Sequence, residues 1–538
     1  MKETIIILGA GVMQGPAINI AKELGYYTIA LDGSSSAPCV SLADKFEQID
    51  LKDKESIEVF ARNIQGTASR LGIMTAGTDF SASAAWTAEK LGLPGIPYET
   101  ALNASDKSRM RECFKKASLP SPDFFILTSD SPFLTSHHAL PVRFPLVIKP
   151  VDNMGSRGCR RVDNIEQFYD AVKTALGFSR SGRVIAEQYM EGPEFSVDAI
   201  VYHGKVTICW LADRHIFFPP YFIEMGHTMP TIIDEEKQRA ILDTFREGIH
   251  ALGLDGKKNI GAAKGDIKLT SDGGSPRAMI GEIAARLSGG YMSGWTYPYS
   301  SGVLPIKAAI QAAMGFEPLE LTPAKNWTCA ERAFISIPGK VKKIINDDCK
   351  VQSPVNNFFM RIKEGDRVSF PENNVTKCGN IIASAPDREI AIAAAETAAR
   401  SVLIRLELNN KETDEFIAKI QQNGKQGESF DFPPNAFDLS KELFDALNCL
   451  SETTLHSQFS VPHSLLPFPL FENSGLKDYT GRTVQEALDA VRQLTGLSLP
   501  ITSENAENKI RLGRSFWAAL IRGSYQGAVY YIDSLGEK

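Results

Sequence analysis

The sequence predicts an α/β protein with a mostly helical C-terminal region appended to it. Three observations carry this. A strand, a glycine-bearing turn, a helix and a second strand open the chain; short apolar strands ending in charged residues and glycine-rich loops fill its middle; and helical periodicity dominates beyond Asn410.

The bulk properties set limits. A chain of 538 residues has room for about three or four domains. Its 43% apolar and 23% charged content is ordinary for a soluble globular protein. The net charge of −6 argues against a general nucleic-acid binder, which carries a basic surplus. No apolar run approaches the ~18 residues that span a bilayer, so no membrane association is expected. Met1 to Leu8 is too short in its apolar core for a secretory signal. The eight cysteines include no C-x-x-C pair, which favours free thiols in a reducing compartment. A cytoplasmic protein is the expectation.

The first strand, Thr4 to Leu8, runs into a turn with Gly9, Gly11 and Gly15, then a helix from Ala17 to Leu24 and a strand from Tyr27 to Leu31 ending at Asp32. An acid at that position resembles the ribose contact of dinucleotide-binding proteins. The glycine spacing is loose, however, and a tight strand-to-helix turn needs glycine with or without a nucleotide. A strand at Gly72 to Thr75 leads to an Ala-rich helix from Ser81 to Leu91, and Gly92 to Pro97 marks the first domain edge.

Lys107 opens a helix that reaches about Ala117. A strand at Phe144 to Pro150 ends in Lys149, and the loop Gly155-Ser156-Arg157-Gly158 follows. Small residues there let backbone N–H groups close on phosphate oxygens, and an ammonium supplies the point charge. A strand from Arg183 to Glu187 is followed by a Gly-Pro turn and Glu194. That spacing suits a hinge offering one acid to an adenine amino group and another to ribose hydroxyls.

The most informative stretch is Met279 to Tyr291. It sets Glu282, Arg286 and the turn Ser288-Gly289-Gly290 beside an apolar strand, while Asp266 opens a second strand, Ile267 to Leu269. Two acids at the same end of neighbouring antiparallel strands form a hard-oxygen site suited to Mg²⁺. A nearby guanidinium holds a carboxylate or phosphoryl group in its fork. Phosphoryl transfer from ATP to a carboxylate requires that combination.

The order of these parts over residues 1–408 resembles the ATP-grasp superfamily. It is most similar to the carboxylate–amine ligase branch that includes L-amino-acid ligases, with biotin carboxylase and carbamoyl-phosphate synthetase as relatives. The resemblance implies a Rossmann-like domain over 1–100 that does not bind NAD, and an ATP-grasp domain over 101–330 with a lid at about 140–200. A C-terminal lobe over 331–410 follows. It implies phosphate-binding roles for Lys107 and Lys149, and a lid loop of Gly155, Ser156 and Arg157. Glu187 and the backbone around Met190 match the adenine hinge, and Glu194 the ribose contact. Asp266 and Glu282 match the Mg²⁺ ligands, and Arg286 the stabiliser of the acyl phosphate. Tyr221 to Pro230 resembles the segment that reaches the substrate, which makes His227 a candidate catalytic residue. Two positions depart from the family pattern: Ala284 stands where an Asn usually adds a metal ligand, and Asp266 where Glu is common. They put a second metal ion in question.

The implied activity is ATP-dependent joining of a small carboxylate to an amine, amino acids among them. An ATP-binding protein without turnover and an NAD-dependent dehydrogenase built on Gly9, Gly11 and Asp32 are the rivals. Residues 411–538 hold helical patterns at 439–450, 484–494 and 514–521, with a polar linker at 423–429. This region is expected to cap the site or to form a homodimer contact. Arg482, Arg514 and Arg522 read as solvated helix charges.

Overall fold

The computed structural model describes residues 1–135, 140–272, 275–346, 353–419, 432–448, 475–496 and 514–536. The expected linker at 423–429 lies outside these. The chain divides into two compact units. The first comprises Met1–Ile216, Gly226–Glu331 and Ser384–Ala391, and the second Phe217–Met225, Arg332–Ala383 and Ile392–Lys538. Among the described residues no helix is long and apolar enough to cross a membrane.

The first unit opens with β1 (Glu3–Leu8), α1 (Gly15–Glu23), β2 (Tyr27–Asp32), β3 (Lys45–Gln48), α2 (Lys54–Gln65), β4 (Arg70–Thr75) and α3 (Ser81–Leu91). The strands form a parallel sheet in the order β3-β2-β1-β4. Continuous apolar runs such as Ile5–Leu8 suit strands covered on both faces, and these residues are fully buried. After α4 (Tyr98–Asn103), α5 (Lys107–Lys116) starts where the Asp106 carboxylate accepts from the backbone N–H groups of Ser108 and Arg109 at 2.8 and 3.2 Å.

Next come β5 (Phe124–Leu127), α6 (Pro132–Thr135), β6 (Leu146–Pro150), β7 (Arg160–Val162), α7 (Ile165–Phe178) and β8 (Val184–Gln188). The four strands form a separate antiparallel sheet in the order β5-β8-β6-β7, covered by α7 through Phe168, Ala171, Val172 and Ala175. The small sheet expected as a lid at 140–200 therefore begins at Phe124 and ends at Gln188. From Glu194 onward the chain belongs to a larger sheet.

That larger sheet is built from β9 (Glu194–Tyr202), β10 (Lys205–Phe217), β11 (Ile223–Met229), α8 (Glu235–Leu252), β12 (Ile260–Asp272) and β13 (Ser275–Ala284), with strand order β13-β12-β9-β10-β11. Helix α8 packs closely on its back: a Cβ on Gly248 would lie 2.4 Å from Ile283 Cδ1. The short α9 (Tyr297–Ser301), α10 (Pro305–Ala313) and β14 (Thr328–Phe334) follow.

The second unit holds β15 (Gly339–Ile345), β16 (Val355–Met360), β17 (Arg367–Val368), β18 (Gly379–Ala385), most of α11 (Arg388–Ser401), β19 (Leu403–Leu406), α12 (Lys411–Ala418), α13 (Lys441–Asn448), and the helices Val484–Thr495 and Arg514–Gly536. The boundary expected at residue 410 is not a core boundary. Val341, Ile404 and Leu406 share one core with Phe416 and Tyr530, and Leu403 shares another with Leu488, Val491 and Phe516. The reading of Arg482 and Arg522 as solvated charges is also corrected. Both are buried, Arg522 donating to the Phe416 and Pro433 carbonyls at 3.0 and 2.7 Å and Arg482 to the Arg400 carbonyl. They satisfy backbone oxygens where helices meet, which a buried carbonyl requires. Arg514 does sit outside the core, donating to Asn448 Oδ1 at 2.9 Å.

Candidate active site

The sequence placed Asp266 and Glu282 at one end of two antiparallel strands; the structure pairs them, but Asp266 sits in the middle of β12 rather than at its start, and Glu282 two residues before the end of β13. They are opposite each other in the β12–β13 register, with a bulge immediately after Asp266. Asp266 lies between two cations, Arg214 Nη1 at 2.8 Å from Oδ1 and the Lys264 ammonium on Oδ2. Glu282 is more open, its side chain 32% exposed, with Lys107 Nζ 3.6 Å away. Burial pushes the Glu282 carboxyl up, but Lys107, Lys264, Lys149 and Arg286 overcome it and hold the group well below the ordinary carboxylate range. Glu282 stays ionised at any physiological pH.

Helix α5 delivers two cations to this place. Lys107 and Arg111 are four residues apart and share one face. Lys107 Nζ also donates to the Asn153 carbonyl at 2.8 Å, which ties it to the lid loop. Burial works against its charge, yet Glu282, Asp79 and Glu187 more than offset that and raise its pKa.

Glu187 is the anchor of the lid sheet. Its carboxylate takes Arg111 Nε at 2.9 Å on one oxygen and Lys149 Nζ at 2.7 Å on the other. Burial pushes the carboxyl up, and Arg111 and Lys149 bring it below its usual value. Both oxygens of the carboxylate expected at an adenine amino group pair with cations. The hinge backbone follows. There the Met190 carbonyl accepts from Lys268 Nζ at 3.1 Å, while Glu194 pairs with Arg214. Gly192 is required in this hinge, because at its φ of +131° a Cβ would lie 2.0 Å from the Leu269 carbonyl oxygen.

The lid loop turns through left-handed backbone at Gly155, Ser156 and Gly158 (φ 68°, 59° and 69°). Arg157 folds back, donating from Nε to the Met154 carbonyl at 3.1 Å. Successive N–H groups of such a turn make an anion-binding concavity.

Arg286 follows β13 and is 8% exposed. Its Nη1 donates to the Leu287 carbonyl at 3.1 Å, and its Nε has no hydrogen-bond partner among the described residues. The following turn is held from β9. Both oxygens of the fully buried Asp198 accept from Ser288, one from its N–H at 3.0 Å and the other from its hydroxyl. Burial pushes the Asp198 carboxyl up to about 6, against the opposing pull of Ser288, Lys264 and Arg286. Gly289 then packs on Gly77, where a Cβ would meet the Gly77 carbonyl at 3.1 Å.

His227 is buried, 1% exposed, its Nδ1 2.9 Å from Glu331 Oε2 on the neighbouring strand β14. The N-terminal glycine turn is filled from within. Asp32 accepts from the Ala10 N–H at 2.8 Å, and Gln14 Oε1 from the Gly11 N–H at 3.0 Å. Gln14 also donates to the Ala76 carbonyl. These bonds commit Asp32 and the turn amides that a dinucleotide would need.

Sequence reading missed Arg111, Lys264, Lys268, Arg214 and Asp198. The signals were present for three of them: the i,i+4 step from Lys107 gives Arg111, and strand alternation around Asp266 gives Lys264 and Lys268. Arg214 and Asp198 had no local signal, because they arrive from strands distant in sequence.

Comparison with known proteins matches two stretches of the chain to family models. Residues 142–258 match the ATP-grasp domain model and residues 333–407 the L-amino acid ligase C-terminal domain 2. Carnosine synthase 1 of Gallus gallus is 23% identical over 59% of this chain and 36% of its own length. A D-alanine–D-alanine ligase of Halorhodospira halophila is 30% identical over 31% of this chain and 55% of its own. The chain thus spans only about a third to about half of these relatives. The crystal structure of an L-amino acid ligase from Bacillus licheniformis superposes with a TM-score of 0.63 at 21% identity, covering 76% of this chain and all of the other. Residues 142–258 thus carry an ATP-grasp domain and residues 333–407 an L-amino acid ligase C-terminal domain.

Proposed function

We propose that the chain is an ATP-dependent ligase that joins a small carboxylate to an amine through an acyl phosphate, releasing ADP and phosphate. One observation carries this reading: Asp266 pairs with Glu282 across β12 and β13, with Arg214 and Lys264 on Asp266 and Lys107 on Glu282. In it, Lys107, Lys149 and the loop Gly155-Ser156-Arg157 receive the ATP phosphates, the backbone at Met190 the adenine, and Glu194 the ribose. The donor set fits Mg²⁺, which keeps several waters and takes one or two carboxylates together with phosphate oxygens. Asp266 and Glu282 would hold it, Asp266 exchanging the ion pairs it makes in the nucleotide-free protein. When bound, the ion would neutralise charge on the phosphates.

The rest is positioning and charge neutralisation by this chain's own groups. A substrate carboxylate oxygen bonds to the γ-phosphorus as the bond to ADP breaks. Arg286 supplies a guanidinium edge to the transferred phosphoryl group and to the acyl phosphate. An amine then attacks the acyl carbon, phosphate leaves with the carbon–oxygen electron pair, and the amine proton is lost. His227, buried against Glu331, enters as a positioning residue. Free thiols at the six described cysteines suit a reducing, cytoplasmic setting.

A second reading, nucleotide binding without turnover, is favoured by Ala284, which leaves the acid pair without a third side-chain ligand. The test is phosphate release from ATP across amino acids and small carboxylates, alone and in pairs. Release that needs both an acid and an amine supports the ligase. Nucleotide binding with no release for any pair supports the second reading.

A further inference from the structure

Beside Arg286 the first unit forms a partly open pocket of about 70 Å³. One wall is the small-residue face of α3, Ala84, Ala85 and Ala88; Ala309 and Ala313 of α10 form another; Arg286 is the only ionisable residue in the lining. The α3 residues recur at helical spacing, so the smallness of that wall is a property of one continuous face. A water needs ~10–15 Å³ on this measure, so the space admits a group of roughly five water-sized atoms. Of its polar lining residues, Thr75 donates to the Leu8 carbonyl at 3.1 Å and Ser81 Oγ lies 3.5 Å from Ser105 Oγ, while the buried Arg286 has an Nε without a partner among the described residues. A buried guanidinium with an uncommitted N–H, on a residue that lines a small pocket walled mostly by alanines, is complementary to a carboxylate bearing a short apolar group.

We propose that this cavity receives the side chain of the carboxylate substrate, so that the acid activated here carries a short, uncharged, apolar group of alanine-to-valine size. The inference rests on the ligase reading of Arg286 and extends it to substrate class. A basic side chain meets no carboxylate in the lining, an acidic one competes with the substrate's own carboxylate for Arg286, and an aromatic ring exceeds the volume.

Two filling variants on different walls, Ala85→Leu and Ala309→Leu, test it on the full chain. Calorimetric titration with alanine, valine, phenylalanine, glutamate and lysine is run with and without Mg²⁺ and a non-hydrolysable ATP analogue, beside melting temperatures. The wild type is expected to bind alanine or valine at least tenfold more tightly than the other three. Either variant is expected to weaken valine at least tenfold and leave the ATP analogue unchanged; should one fail to fold, the other carries the test. A raised melting temperature with unchanged acid preference would make the cavity a packing void and overturn the proposal. Wild-type binding of the ATP analogue without binding of any of these acids would also overturn it. Failure to bind the nucleotide, by contrast, overturns the ligase reading itself.

Discussion

Glu187 accepts Arg111 on one carboxylate oxygen and Lys149 on the other, at 2.9 and 2.7 Å, with Glu187 and Arg111 almost fully buried. This pair of contacts joins helix α5 to the lid sheet and fixes the position of a lysine proposed to meet phosphate. Removing one member of a buried ion pair leaves the others uncompensated. Glu187→Ala is therefore expected to cost about 3–5 kcal/mol of stability, read as a lower denaturant midpoint, and to weaken ATP binding in the folded fraction.

The acid pair makes a sharper separation between fold and function. Glu282 is partly open and lies beside Lys107. Glu282→Ala should reduce turnover by about 10²–10³-fold while the melting temperature stays near that of the wild type. Ala284→Asn should leave activity unchanged or raise it. A sharp fall would mean that residue 284 lines a substrate pocket, contrary to the metal reading.

For Arg286 the deep burial and an Nε without a partner among the described residues favour a role in the transition state. Arg286→Ala should depress kcat by ~2–4 kcal/mol with little change in ATP affinity. Lysine should rescue it poorly for lack of the planar fork. A destabilised but catalytically normal Arg286→Ala would remove the residue from the site. Kinetics and melting measured on one preparation separate the two.

The pH dependence of stability should carry two opposed contributions. Glu187 titrates below its unfolded value, so its stabilisation is present above about pH 4.3 and is lost as pH falls through the lower folded value. Asp198 is raised from 3.8 to about 6, so its contribution is present at low pH and lost as pH rises through about 6. Asp198→Asn should flatten the melting temperature between about pH 4 and 6 while the acid limb below it persists. An unchanged slope in that window would contradict the assignment.

How much was legible follows from how local each signal was. The helix Ser81–Leu91 and the start of α5 at Lys107 were read to the residue, because caps and periodicity are written in neighbouring positions. The Asp266–Glu282 pair was legible because two strands joined by a short connection have few registers that bury their apolar faces. The ion pair of Glu187 was not foreseen because its partner Arg111 lies 76 residues away, and no spacing rule reports a contact of that range. Arg522 looked solvated for the same reason. Its carbonyl partners, Phe416 and Pro433, come from segments that only the folded second unit brings together.

The central claim is that a carboxylate oxygen becomes bonded to the transferred phosphorus. The direct measurement is to supply the acid with ¹⁸O in both carboxylate oxygens, together with ATP, Mg²⁺ and an amine, and to weigh the released phosphate by mass spectrometry. Acyl-phosphate chemistry predicts one ¹⁸O in each phosphate and ADP as the other product. Phosphate free of ¹⁸O, or label carried into AMP with release of pyrophosphate, would contradict the account.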